Sequence, residues 1–126
     1  MSPLIQPPSM GDALKYEVNP NYTRETVTLL QGMEYPVGSV LGRITASGKY
    51  TLATDGGSDG AETAVGVLLY AVDTTLADAT GIVLMRGPAI VAREGLAFDG
   101  TVDDATKIAT KHSELAAAGI LVRDSA

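Results

Sequence analysis

The stretch Ala64-Val65-Gly66-Val67-Leu68-Leu69-Tyr70-Ala71-Val72 decides the fold. It shows neither the polar alternation of a half-exposed strand nor the three- and four-residue spacing of an amphipathic helix. It reads as a strand covered on both faces, and the core is centred on it. Just before it, Asp55-Gly56-Gly57-Ser58-Asp59-Gly60 cannot support regular structure and forms a loop. Further upstream, Tyr22 to Leu30 is rich in β-formers and places Thr23, Glu25 and Val27 on one face of a first strand. After the breaker-rich connection Gln31 to Gly38, the runs Ser39 to Thr45 and Lys49 to Ala53 flank Ser47-Gly48 and predict a short hairpin.

Downstream, Gly81 to Met85 and Ala89 to Arg93 predict two short strands around Arg86-Gly87-Pro88. Proline interrupts the ladder there, so the sheet must curve or split. One helix is expected, capped by Asp103 or Asp104, with Ala105, Ile108, Ala109, His112, Leu115 and Ala116 on its apolar side and Gly119 at its end. A last strand follows from Ile120 to Arg123. No internal repeat is visible, which removes solenoids and propellers.

Before this body lies a different kind of sequence. Pro3, Pro7, Pro8 and Pro20 fix φ and remove backbone donors, so extended, flexible chain is expected from Met1 to Asn21, with no helix or central strand running through it. Yet Leu4, Ile5, Met10, Leu14, Tyr16 and Val18 are apolar, unlike the residues of a solvated tail. The organisation expected is an anchoring arm, residues 1–21, attached to one β-rich domain, residues 22–126.

Composition sets limits on function. The 126 residues suffice for one domain of about 100 residues plus the arm. Cysteine is absent, so disulfides and thiolate chemistry are unavailable. No signal-peptide pattern is present at the N-terminus, and the longest apolar run is far short of the ~20 residues of a spanning helix, so no membrane partner is expected. A net charge of −6, with basic residues scattered from Lys15 to Arg123, argues against a phosphate-neutralising surface, so no nucleic acid is expected either.

Several segments imitate catalytic motifs without their chemistry. Gly56 to Gly60 has the spacing of a nucleophile elbow, but a β-like run follows where that motif needs a helix. His112 is the one histidine and lies on the apolar side of the predicted helix, where packing is the simpler role. Gly48-Lys49 sits in a false phosphate loop, with Arg43 at the first glycine position and Tyr50 in place of the magnesium-binding hydroxyl. Asp55, Asp59 and Gly60 match a calcium loop that Gly57 and Gly66 then break at its third and twelfth positions. No histidine or cysteine cluster offers a zinc site, and the acids Asp73 and Asp78 fall in a surface connection. No catalytic residue, metal ligand or cofactor is expected.

The order of the motifs resembles the phage head decoration proteins of the lambda type. The resemblance is carried by Asn21-Tyr22-Thr23-Arg24-Glu25, by Gly38-Ser39-Val40-Leu41-Gly42 leading to Gly48-Lys49-Tyr50, and by Asp55 to Gly60 with Ala64 to Leu68. Arg86-Gly87-Pro88-Ala89 and the helix followed by Gly119-Ile120-Leu121-Val122 extend it through most of the body. It implies a mostly β fold of the β-clip kind, a bent ribbon or incomplete barrel with one helix toward the C-terminus. It also implies a non-catalytic protein, made in the host bacterial cytoplasm. Homotrimers would reinforce the outer surface of an expanded capsid at local threefold positions, with the N-terminal segment ordering on the major capsid protein. The capsid-binding candidates are Leu4, Ile5, Met10, Leu14, Tyr16 and Tyr22. A β-clip or barrel binding module of a cellular complex shares the same glycine-rich turns and short strands, and a small hydrolase would need a solvent-facing His112 beside Ser58 or Ser113.

Overall fold

The computed structural model describes residues 13–124. Strand β1 (Leu14–Glu17) leads through a single helical turn, α1 (Pro20–Thr23), into β2 (Arg24–Leu29). There follow β3 (Glu34–Tyr35), β4 (Val40–Arg43), β5 (Tyr50–Leu52), β6 (Gly66–Leu68), β7 (Val72–Asp73), β8 (Ala79–Leu84) and β9 (Ala89–Ala92). A 3-10 turn at Arg93–Gly95, the helix α2 (Ala105–Ala117) and β10 (Ile120–Arg123) complete the chain.

Five strands form a ring in the order β2-β5-β4-β6-β8. Its longest ladder is the antiparallel β2–β8 pair, running from Arg24 opposite Leu84 to Leu29 opposite Ala79. Its weakest seam is β2–β5, a single parallel pair of Leu29 and Tyr50, supported by the Leu30 amide donating to the Tyr50 carbonyl at 2.8 Å. The ring is therefore not zipped into a closed barrel, in agreement with the mostly β, incomplete-barrel expectation. Beside it lies a three-stranded sheet in the order β1-β9-β10, with β1 antiparallel and β10 parallel to β9.

Two cores share one wall. Inside the ring, Leu29, Tyr35, Leu41, Tyr50, Leu68 and Val83 pack together. Between the ring and the second sheet, Val40, Val67, Leu69, Leu84, Val91, Leu115 and Ile120 form the other cluster. Neighbouring residues in β4 (Val40, Leu41), β6 (Val67, Leu68) and β8 (Val83, Leu84) thus point into opposite cores, which is why these strands lack polar alternation. The buried Tyr35 hydroxyl is satisfied by donating to the Leu30 carbonyl at 2.8 Å.

The apolar run Ala64 to Val72 is shorter as a strand than its sequence suggests. It is buried on both faces through Leu69, then leaves the wall at Tyr70, which is 45% exposed. Val72 resumes as β7 in a separate pair with β3, a two-residue strand inside the stretch expected to be a plain connection. The region before Asn21 also differs. Leu14–Glu17 pairs with β9, and Pro20 opens a helical turn capped by Asn19, whose side chain accepts from the Asn21 amide. Proline forbids neither arrangement: β1 contains none and lies at a sheet edge, and Pro20 sits where a helix needs no amide donor.

Helix α2 starts as expected, with the Asp104 carboxylate accepting from the Lys107 amide at 2.9 Å, and Gly119 follows it at φ +86°. Its buried face is centred elsewhere. Leu115 and, unexpectedly, Lys111 are covered, while Ala109 and Ala116 are exposed. The Lys111 ammonium donates to the Glu62 carbonyl and lies 3.2 Å from Glu114 Oε1, which also accepts from the Ala64 amide at 2.9 Å. This clamp holds the end of the glycine-rich loop against the helix, immediately before β6.

Two substitutions test this packing. A Cβ at Gly42 would fall 2.3 Å from the Ala61 carbonyl oxygen, so Gly42→Ala should cost about 1–3 kcal/mol in urea unfolding, whereas Gly100→Ala, facing open space, should change little. Lys111→Ala should cost about 3 kcal/mol, the low end for a broken buried pair because Glu114 keeps 23% of its side-chain surface exposed.

Candidate functional site

The expected site residues divide into three groups. Leu4, Ile5 and Met10 lie outside the described residues. Leu14 turns inward from β1 and packs against the core between the ring and the second sheet. Tyr16 on β1 and Tyr22 on α1 are 51% and 58% exposed.

A polar network fixes the end of β1 to the ring. The Glu17 carboxylate accepts from Arg24 through both Nε, at 3.0 Å to Oε1, and Nη2, and from the Thr23 hydroxyl at 2.6 Å. This forked, charge-assisted pairing joins the end of β1 to the start of β2 across the α1 turn. The hydrogen bond from Arg24, with help from Thr23, holds the Glu17 carboxyl below the ordinary carboxylate range despite partial desolvation. A second brace comes from Arg86, which donates to the Tyr22 carbonyl at 2.6 Å and pairs with Glu25 at 3.0 Å. Its guanidinium lies 5.7 Å from the Tyr22 ring centroid, within cation–π range. Glu17, Arg24 and Arg86 escaped the sequence reading because single charges in β-rich sequence read as solvated; the seven-residue separation of Glu17 and Arg24 across a turn was the available signal.

The catalytic imitations find ordinary structural roles. His112 packs at a tilt against Phe98, ring centroids 6.1 Å apart, and its buried Nε2 has no hydrogen-bond partner. Burial, and secondarily the nearby Arg93 charge, push its imidazole pKa down, so it is kept neutral. Gly48 makes a turn at φ +73°, and Lys49 pairs with Asp78 at 2.6 Å. In the acidic loop the Asp59 carboxylate accepts from the Ala61 amide at 3.0 Å, the Asp55 amide donates to the Thr101 hydroxyl at 2.9 Å, and Asp55 lies 3.8 Å from the Lys107 ammonium. Among the described residues no group of three or more histidine, cysteine, aspartate or glutamate side chains is placed to hold a metal ion. Among them also, no helix is long and apolar enough to cross a membrane.

A family model described as bacteriophage lambda head decoration protein D matches residues 3–120. The chain belongs to that family, and the match spans nearly all of its 126 residues. No curated protein matches the chain.

The two perturbed groups separate in a pH titration of stability. His112, with its pKa depressed by folding, contributes stability that is full above the ordinary histidine value of about 6.5 and is lost as pH falls below it. Glu17, also depressed, contributes stability lost at lower pH, below the ordinary glutamate value of about 4.3. Denaturant melts from pH 8 to 3 should show that His112→Leu flattens the upper part of this decline and Glu17→Gln the lower part.

Proposed function

We propose that this phage head decoration protein binds the outer surface of an expanded capsid as homotrimers at local threefold positions and stabilises the shell. Its partner is the major capsid protein, on which the N-terminal arm becomes ordered through Leu4, Ile5 and Met10. Tyr16 and Tyr22 contribute exposed aromatic surface near the arm's root, and Leu14 fixes that root by packing inward. The observation that carries this reading is the family match over residues 3–120 together with an edge strand that leads directly from the arm into the body.

The physics suits such an anchor. Proline restricts the free arm and lowers the entropy lost on ordering, buried aliphatic side chains each contribute about 1.5–3 kcal/mol, and strand addition satisfies backbone groups. Three arms joined through a trimer bind cooperatively, because the second and third attach at roughly millimolar effective concentration. The net charge of −6 favours solubility and keeps the protein from non-specific association with DNA. The role requires no catalysis and no cofactor.

Ala13 is fully buried and β1 is paired, which supports reading residues 13–21 as a mooring on the body and assigning the anchoring role to the residues before them. Co-sedimentation with expanded and unexpanded shells of the matching phage tests this. Full-length protein should bind expanded shells saturably. A chain lacking residues 1–12 should melt within a few degrees of the intact protein but fail to bind. One lacking residues 1–21 loses β1 and the Glu17 clamp and should be destabilised by about 3 kcal/mol or more. Undiminished binding by the shorter truncation would sink the role given to the arm.

A further inference from the structure

The second sheet has an uncovered side. In its ladders Tyr16 stands opposite Ile90 and Ile90 beside Leu121, so the three side chains form one row across β1, β9 and β10. The alternate residues Ala89, Val91 and Ile120 enter the core, which sets the Tyr16–Ile90–Leu121 row on the outer face. Val18 extends that face, its amide donating to the Pro88 carbonyl at 3.1 Å. Tyr16, Val18 and Leu121 are 51%, 50% and 43% exposed, and Pro88 is exposed as well. The row holds no charged residue, in a chain with a net charge of −6. An uncharged core with an aromatic anchor is the composition of an interface centre.

The position of this face names its occupant. The arm joins the body at Ala13, one residue before β1, at the end of the sheet where β9 and β10 finish with Ala92 and Arg123. Four residues of chain reach about 14 Å at most, so whatever surface takes Met10 must lie within that distance of Leu14, the start of β1. Tyr16 lies two residues into β1, so the outer face it occupies is within that reach. We infer that the outer face of the β1-β9-β10 sheet, centred on Tyr16, Ile90 and Leu121, is a second docking surface that seats on an apolar strip of the capsid beside the arm's own binding site. The inference rests on the decoration reading and adds to it a rigid contact made by the body.

The test measures binding to expanded shells with full-length protein and two variants. Leu121→Glu places a charge on the row, and Leu76→Glu places the same charge on the β7–β8 connection, where Leu76 is 91% exposed. Leu121→Glu should weaken shell binding at least tenfold with an unchanged melting temperature, and Leu76→Glu should bind like the unaltered protein. If Leu121→Glu proves poorly folded, Tyr16→Thr keeps a strand-compatible residue and should also weaken binding at least tenfold. Binding by the folded row variant within twofold of the unaltered protein overturns the inference, as does an equal loss from Leu76→Glu. A lower solution mass for free Leu121→Glu than for the unaltered protein also overturns it, by giving the face to contacts between copies. Failure of the unaltered protein to bind any shell refutes the decoration reading itself, and is told apart because no substitution is involved.

Discussion

The structure depends on a β wall with an apolar core on each side. Val67 and Leu69 face one core and Leu68 the other, and the pairs Val40 with Leu41 and Leu84 with Val83 divide in the same way. Such a wall cannot be stable as a ring alone, because its outer row would lie bare to water. The β1-β9-β10 sheet and Leu115 of α2 cover that row. The arrangement of the second sheet follows from this requirement: β9 must be held, and β1 and β10 hold it from either side.

Polar contacts then fix the layers in register. Lys111 and Glu114 draw the exit of the glycine-rich loop onto α2, so the chain enters β6 at a defined height. Glu17, Thr23 and Arg24 do the same where β1 turns into β2. In each case the ionised groups also bond hydroxyl or backbone partners, which offsets the cost of removing charge from water. The result is a body in which β1 is held firmly against the ring and the second sheet.

Much of this was legible in the sequence, for identifiable reasons. The buried run around Val67 and Leu68, the Ser47-Gly48 hairpin, the Asp104 cap and the strand Ile120–Arg123 each carry a local signal in apolar density or turn chemistry. β3 did not, because a two-residue strand among breakers has no period to detect. β1 was obscured by the prolines around it, whose effect ends within a residue or two of each. Lys111 was read past because a helical lysine is ordinarily solvated, and its partner Glu62 is 49 residues away. The fastening of β1 was not legible, because it depends on pairings distant in sequence, Tyr16 with Ile90 and Glu17 with Ala89.

The central proposal for this member of the lambda head decoration family is that a moored β body carries an arm that orders on the shell. Amide hydrogen exchange, read by mass spectrometry on the free protein and on expanded shells, tests it most directly. The account predicts that the amides of β1 are protected to the level of β9 in both states, and that those from Leu4 to Met10 become protected only on the shell. Exchange of β1 at the rate of unfolded chain in the free protein, or no change from Leu4 to Met10 on binding, would contradict it.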